Sequence, residues 1–387
     1  MKKSLIALAV AGAFAAPAFA ATSNVDIYGV MNIAIESADA SYKGGVVANN
    51  NRRDNMAVVD NVSRIGFKGA EDIGGGLKAV WQIESALSGS PTNHGDTTTA
   101  GNGGVGTGAA LAGRNTFIGL AGGFGTVLAG RHDTPYKLGT VSLDIFGDTI
   151  ADYNGGSGAA AGHSRLADSI LAGAHDARSP QALAYVSPTW SGFHFAAAAI
   201  MTNAAANGQN SVAGQDSTLD GVSVTGVYAN GPMFGSLSYQ KVDDADTFVG
   251  TTGLDKSTAW KLGLGYTFGD AKVGFVYEDV KIDVTAAGAQ DIKRKAWLVN
   301  GVYNMGPIAL KAQYGDVDYG GLYNGADSKQ WALGVDYALS KRTTAYFAYA
   351  DSSLKANAAA ATALMGVATA AFDANVDGWN IGLKHSF

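Results

Sequence analysis

Alternation of apolar and polar side chains at every second residue is the feature of this sequence that most limits its fold. The pattern is clearest in residues 260–268, 308–314, 331–337 and 379–387. In the first of these segments, Trp260 and Leu262 share one parity and Lys261 has the other. Successive side chains of a β-strand point to opposite faces. The pattern therefore predicts strands that have one apolar and one polar face.

The lengths of the links between these segments distinguish a transmembrane barrel from a soluble β-sandwich, whose strands also alternate apolar and polar side chains. Very short links lie at 122–123, 188–189, 231, 269–270 and 305–306, and long polar links lie at 38–61, 88–112, 133–177, 202–219 and 354–375. Short and long links alternate along the chain, so the tight turns fall at one end of the strands and the long loops at the other. Outer-membrane barrels have this asymmetry, with short periplasmic turns and longer extracellular loops.

Counting segments on this basis gives sixteen strands. Their expected bounds are 25–36, 62–71, 75–87, 113–121, 124–132, 178–187, 190–201, 220–230, 232–243, 257–268, 271–282, 293–304, 307–318, 327–338, 342–353 and 376–387. A closed sheet is the only β-arrangement that satisfies every backbone group in lipid, and sixteen strands leave a water-filled lumen. The sequence therefore predicts an all-β fold, a 16-stranded antiparallel transmembrane β-barrel.

Residues 1–20 have the pattern of a cleaved secretory signal peptide. Lys2 and Lys3 precede an apolar stretch, and Ala18-Phe19-Ala20 forms a small-residue cleavage site. A membrane anchor is the alternative, but the apolar stretch is too short for one. The mature domain would then span residues 21–387. Loss of the two lysines leaves 25 Lys and Arg against 33 Asp and Glu, a net charge of −8.

Composition and motifs exclude several other classes of function. The chain has no cysteine, so it has no disulfide and no cysteine metal site. Its acidic balance gives no indication of nucleic-acid binding. Residues 101–106 match G-x-G-x-x-G but do not follow an apolar strand, and the six histidines lack metal-ligand spacing. We expect no enzyme activity, no catalytic residue, no metal and no cofactor.

Four segments resemble those of a known family. Residues 63–82, which begin Ser-Arg-Ile-Gly-Phe-Lys-Gly, resemble the second hairpin of Gram-negative general porins. Residues 114–131, with a short turn and a closing Gly-Arg, resemble the third hairpin, and 25–29 resemble the first strand. The ending Gly-Leu-Lys-His-Ser-Phe at 382–387 resembles the last strand of neisserial and other β-proteobacterial porins.

The resemblance implies a homotrimeric channel of the Gram-negative outer membrane, in contact with lipid and lipopolysaccharide, whose third long loop folds inward. That loop would be residues 133–177, the constriction loop. It lacks the Pro-Glu-Phe-Gly-Gly signature of enterobacterial porins and has 143–148, Leu-Asp-Ile-Phe-Gly-Asp, instead. Phe387 resembles the C-terminal signal read by the barrel-assembly machinery, although it is also explained as the last lipid-facing residue.

Strand parity assigns several charged side chains to the lumen. An unpaired charge that faces lipid at mid-depth costs about 2–4 kcal/mol, so Arg64 and Lys68 are expected to face inward. The same rule turns Lys78 and Glu84 inward. Each of them is also explained as a solvated barrel residue with no special role.

Two further arginines are placed inward by different arguments. Arg131 faces the lumen if Phe124, Thr126 and Leu128 face lipid. Arg114 lies at the start of its strand, and the resemblance implies that it points inward.

The constriction loop supplies four carboxylates. They are Asp133, Asp144, Asp148 and Asp152. We hypothesise that Arg64, Arg114 and Arg131 face Asp144 or Asp148 across the narrowest section, since such charges bias which ions pass. The arginines and the resemblance favour anions, whereas the net charge of −8 favours cations if much of it lies at the mouth.

The predicted function is a passive diffusion channel for ions and small hydrophilic solutes. A substrate-specific channel is the first alternative and would need a dedicated binding row in the lumen. A surface adhesin or an outer-membrane enzyme built on a barrel is the other. The long loops permit an adhesin, but no catalytic constellation is readable in the sequence.

Overall fold

The computed structural model describes most of the chain. The described residues are 25–44, 56–87, 93–94, 112–153, 175–201, 219–243, 254–285, 290–359 and 371–387. The expected signal peptide, residues 1–20, lies outside them.

The described residues form eighteen strand segments. Their bounds are β1 Val25–Gly44, β2 Ala57–Asn61, β3 Arg64–Gly74, β4 Leu77–Ala86, β5 Asn93–His94, β6 Thr116–Gly122, β7 Gly125–Asp133, β8 Arg178–Val186, β9 Phe193–Ile200, β10 Gly221–Asn230, β11 Met233–Val242, β12 Leu254–Phe268, β13 Ala271–Val284, β14 Ile292–Met305, β15 Ile308–Gly321, β16 Ala326–Ala338, β17 Thr343–Ala356 and β18 Phe372–Ser386. A short helix, α1 Pro135–Leu138, and a 3₁₀ turn, Val141–Leu143, follow β7.

The strands close into one antiparallel ring. Strand β1 pairs with β18 on one side and with both β2 and β3 on the other, so β2 and β3 are two pieces of one barrel strand. The two-residue β5 lies parallel to β2 and β4 pairs directly with β6. Sixteen strand positions therefore make up the ring, which confirms the predicted barrel.

Strands β12–β18 extend further toward the long-loop end than expected. Strands β15 and β16 run so far that only residues 322–325 connect them, so the links at that end are not all long. The added residues include charged side chains that pair across strands. Lys355 on β17 lies opposite Asp373 on β18, and their charged atoms are 3.9 Å apart.

Apolar and polar side chains lie on opposite faces of the sheet, as the alternation predicts. Large apolar side chains such as Trp260 and Leu264 are exposed on the outside, whereas Lys261 is buried on the inside. Tyrosine lies directly opposite tryptophan on four pairs of neighbouring strands in the outer face. These pairs are Tyr239–Trp260, Tyr277–Trp297, Tyr314–Trp331 and Tyr349–Trp379. Such aromatic rows border the apolar band of outer-membrane barrels.

The C-terminal residue completes the closure of the ring. The Gly29 amide donates to the Phe387 carbonyl at 3.2 Å, and the Phe387 amide donates to the Gly29 carbonyl at 3.1 Å. The exposed Phe387 ring lies over Gly29, which has no side chain to obstruct it. Its role as an assembly signal stays a prediction.

Gly29→Ala is expected to destabilise the barrel. The added Cβ would lie 2.4 Å from the Phe387 ring and 2.6 Å from the Arg64 carbonyl oxygen, and such overpacking costs about 1–3 kcal/mol. Gly301→Ala is the matched control in a barrel strand, because the atom nearest to its added Cβ is 3.6 Å away. Urea unfolding followed by heat-modifiable gel mobility measures both variants. Equal midpoints for the two would refute the closure role of the Gly29–Phe387 contact.

Candidate functional site

The link between β7 and β8, residues 134–177 and here called loop L3, turns into the barrel. Its described residues lie against the inner wall and bond to strands far away in the sequence. Asn300 on β14 donates to the Leu143 carbonyl at 2.7 Å. Gln313 on β15 donates to the Ala151 carbonyl at 2.6 Å. The described residues of loop L3 therefore line part of the lumen instead of extending outward.

Apolar side chains hold the loop against the wall. Phe146 and Ile150 pack on Ala348 and Val376, and Leu143 packs on Leu298. Full burial of a side chain of this size stabilises by about 1.5–3 kcal/mol. These contacts alternate with the hydrogen bonds of the loop carbonyls, so the loop is fixed at several points along the wall.

A buried charged cluster fixes both limbs of the loop. The Tyr136 hydroxyl donates to Glu278 Oε1 at 2.7 Å, and Arg294 donates to Glu278 Oε2 at 2.9 Å. Lys261 forms an ion pair with Asp176, and its ammonium lies 4.3 Å from the centre of the Tyr136 ring. We call these five residues the latch. Tyr136 and Asp176 belong to the two limbs, and the other three belong to β12, β13 and β14.

Burial perturbs the titration of the groups on the loop limbs. It raises the pKa of Asp176 to about 6, against the opposing charge of Lys261. Burial lowers the pKa of His175 to about 4. Gln240 Nε2 lies 3.2 Å from His175 Nδ1, so Nδ1 accepts and the imidazole is neutral at pH 7.

The described part of loop L3 meets two cations of the wall through Asp148, and this contact group is here called the loop tip. Arg64 Nη1 lies 3.3 Å from Asp148 Oδ2, and Lys384 Nζ lies 2.8 Å from the same oxygen. Burial opposes ionisation of Asp148, but the two positive charges outweigh it and hold its pKa below the usual range. The tip therefore carries one ionised carboxylate between two cations.

Asp144 and Asp152 bond to the loop's own backbone. Asp144 Oδ1 accepts from the Phe146 amide at 3.0 Å, and Asp152 Oδ2 accepts from the Asp148 amide at 3.1 Å. Burial and the neighbouring Asp152 raise the pKa of Asp144. Of the two carboxylates hypothesised to face Arg64, the one in contact with it is Asp148.

Arg114 forms an ion pair with a residue of the barrel wall. Its Nε lies 2.6 Å from Glu84 Oε1, and the Tyr28 hydroxyl donates to Glu84 Oε2 at 2.9 Å. Lys68 lies beside this group, 5.3 Å from the centre of the Tyr28 ring. Strand pairing places Lys68 directly opposite Gln82, which shares the parity of Lys78 and Glu84.

Asp133 lies at the base of the loop and not at its tip. It pairs with Arg178 at 3.3 Å and with Lys137 at 3.0 Å, and it accepts from Asn115 at 2.8 Å. These contacts join the end of β7 to the start of β8. Asp133 therefore closes the base of loop L3.

The premise used to place Arg131 in the lumen is wrong. Thr126 and Leu128 are 5% and 7% exposed and share the inner face, whereas Val127 is 37% exposed on the outer face. Regular alternation would then turn Arg131 outward, opposite Thr116. The pairing with β8 shifts between Gly130 and His132, and such a bulge re-aims side chains, so parity does not assign the face of Arg131.

Three functional contacts were absent from the sequence-based set. Lys384, Lys261 and Glu278 all lie on the inner face and contact the loop or its partners. The parity rule that identified Arg64 also identifies these charges as inward. The sequence carries no signal for which of them the loop would reach.

Other kinds of site receive no support in the described part of the chain. No group of three or more potential ligands there is arranged to hold a metal ion. None of its helices is long and apolar enough to cross a membrane.

Comparisons with known proteins give consistent results over the whole chain. A family model described as Gram-negative porin matches residues 7–357. Outer membrane porin protein 32 of Delftia acidovorans is 29% identical over 395 residues, which cover all of both chains. Major outer membrane protein P.IB of Neisseria sicca is 29% identical over 363 residues, 89% of this chain and 92% of that one.

Two solved structures illustrate the similarity in fold. One is an anion-selective porin from Comamonas acidovorans, with a TM-score of 0.68 and 22% identity over 95% of this chain and 100% of that one. The other is the trimer form of OmpT from Vibrio cholerae, with a TM-score of 0.58 and 16% identity over 95% and 100% of the two chains.

Proposed function

This chain belongs to the Gram-negative porin family and forms a passive diffusion channel in the outer membrane, and we propose that Asp148 and its two cations set its ion selectivity. Its family and relatives point to a channel instead of an enzyme, and we propose that it has no catalytic activity. Ions and small hydrophilic solutes would cross through the water-filled lumen without any covalent step.

The observation that supports this proposal is the pairing of one carboxylate with two cations. Arg64 and Lys384 share the single oxygen Asp148 Oδ2, so the group carries a net positive charge where loop L3 narrows the lumen. Charges that line a narrow section bias which ions pass, and low-dielectric walls focus their field. We therefore propose a preference for anions, and the structurally similar porin from Comamonas acidovorans is itself anion-selective.

Planar-bilayer recording in a KCl gradient tests this proposal. We expect conductance that rises in proportion to salt and a reversal potential on the side of the chloride equilibrium potential. A reversal potential on the potassium side would overturn the anion preference. It would mean that the acidic residues at the mouths dominate the field.

We also propose that the channel is a homotrimer, assembled through the aliphatic side of the barrel. Ile27, Ile35, Ile118, Leu120 and Leu183 are exposed on this side. The remaining side, from β11 to β18, carries the tyrosine–tryptophan row, and exposed lysines such as Lys295 and Lys329 lie beyond it. That side suits contact with outer-membrane lipid and lipopolysaccharide, and the barrel-assembly machinery would act during insertion. Closure of the current in three equal steps supports the trimer, and single steps would contradict it.

A further inference from the structure

Asn32, on the inner face of β1, is fully buried and links distant parts of the molecule. Its backbone amide donates to Ser63 Oγ at 2.9 Å. Its side-chain Nδ2 donates to the Asn61 carbonyl at 3.0 Å and to the Asp148 carbonyl at 2.8 Å. Its Oδ1 accepts from the Tyr346 hydroxyl at 2.8 Å. This side chain therefore joins β1, the break between β2 and β3, β17 and loop L3.

The neighbours of the Asn32 amide determine its orientation, as the hydrogen-bond network does for any asparagine. Asn61 Nδ2 donates to the Tyr346 hydroxyl oxygen at 2.9 Å, so the hydroxyl proton is directed to Asn32 Oδ1. A flipped amide would place Oδ1 against two carbonyl oxygens, which would repel it. The donors therefore point in one direction, from Tyr346 through Asn32 to the Asp148 carbonyl.

The Tyr346 ring is packed so that its hydroxyl keeps this place. The residue is 5% exposed and packs on Ala34 and Val59. Its ring lies over Gly382, where an added Cβ would be 2.3 Å from the Tyr346 Cζ. Glycine at that position leaves room for the ring, and the hydroxyl is consequently fixed in the wall.

A break in the neighbouring strand supplies further partners of Asn32. The pairing register with β1 changes by one residue between β3 and β2, so this strand holds one extra residue at the break. Val62 at the break has a φ angle of 63°, which is rare for a β-branched residue. Such a bulge re-aims the groups beside it. Here the Asn61 carbonyl and the Ser63 hydroxyl accept from Asn32.

The Asp148 main chain is fixed by bonds that do not involve the charge of its side chain. Its φ angle is 62°, a conformation retained only where the surroundings enforce it. Its carbonyl accepts from Asn32, and its amide donates to Asp152 Oδ2 at 3.1 Å. The Asp148 side chain is 19% exposed, so this segment borders the lumen. Loss of the bond to Asn32 would free the main chain to move away from the wall and into the lumen.

We propose that Tyr346, acting through Asn32, is a positioning residue that keeps the Asp148 segment of loop L3 against the wall and so sets the free cross-section of the channel. Loss of the Tyr346 hydroxyl allows the Asn32 amide to flip, and a flipped amide repels the Asp148 carbonyl. This inference goes beyond the proposed ion selectivity, because it concerns the passage of neutral solutes.

Single-channel recording and liposome swelling with neutral sugars test this role. Tyr346→Phe is expected to raise the open-channel current noise about fivefold, the effect of one hydrogen bond on the population of the detached segment. It is also expected to slow the entry of raffinose relative to the smaller arabinose, and the reversal potential in a KCl gradient should stay at the wild-type value. Tyr349→Phe on the outer face of the same strand is the matched control, since it removes a hydroxyl that bonds to Asp377 at 3.3 Å.

A double variant tests whether Tyr346 acts through Asn32. Asn32→Ala is expected to raise the current noise as well, and adding Tyr346→Phe should then change nothing further, because no amide remains to be oriented. Additive effects of the two substitutions would overturn the proposal. Noise and raffinose entry in Tyr346→Phe that equal those of Tyr349→Phe would also overturn it. Neither outcome touches the anion preference, which the reversal potential of the wild type tests separately.

Discussion

Replacing Lys261 with methionine is expected to raise the open-channel current and its noise, because loop L3 loses the ion pair that fixes its returning limb. The change leaves the Asp176 carboxylate buried without its cation, and breaking a buried pair on one side costs about 3–5 kcal/mol. The Tyr136 ring loses the same cation. A penalty of this size is large enough to detach the limb, and a detached limb widens the lumen.

The matched control for this variant is Lys281→Met on the outside of the barrel. Lys281 forms ion pairs with Asp283 at 2.7 Å and Asp291 at 3.0 Å, but its side chain is exposed, and exposed pairs contribute about 0–1 kcal/mol. Its current should match that of the wild type. Combining Lys261→Met with Asp176→Leu removes both charges. The double variant should return the open-channel current and its noise most of the way to the wild-type values. If the current noise of the Lys261→Met channel equals that of the control, then the latch does not hold the loop.

The barrel itself could be predicted from the sequence because lipid constrains every transmembrane strand in the same way. Alternation between Trp260 and Lys261 recurs on strand after strand, and the short turns fix the strand order. The rule was misapplied on β7, because it took the apolar Leu128 as lipid-facing, whereas Leu128 packs with Val80 and Phe117 on the inner face. The bulge after Gly130 then leaves the face of Arg131 unassigned by parity. Bulges depend on the pairing of neighbouring strands, which a local pattern does not contain.

The site was harder to predict because its contacts join residues far apart in the chain. Parity placed Arg64 and Glu84 in the lumen but did not identify their partners. Glu84 neutralises Arg114 within the wall, whereas Asp148 bonds to Lys384, which is 236 residues away in sequence. Which loop carboxylate reaches which cation depends on how the apolar residues of loop L3 pack on the wall. That packing follows from three-dimensional shape and not from the order of residues.

Arg64→Glu is expected to move the reversal potential strongly toward cation preference. The substitution changes the charge beside Asp148 by two units and leaves Lys384 facing two carboxylates. A unit charge 4 Å from an ion contributes about 1 kcal/mol in water and more beside a low-dielectric wall, while salt screens part of this. We therefore expect the ratio of anion to cation permeability to fall about tenfold. Reversal potentials in a KCl gradient measure it.

Arg342→Glu makes the same charge change at a place where it should matter little. Arg342 is exposed in the short turn between β16 and β17, at the short-turn end of the barrel, so bulk salt screens its charge. Arg64→Gln removes one unit of charge and should give about half the shift of Arg64→Glu, which distinguishes an effect of charge from a distortion of the loop tip. If Arg64→Glu shifts the reversal potential no further than Arg342→Glu does, then Arg64 does not lie in the selective section. The selectivity would then have to come from other cations of the wall, such as Lys68.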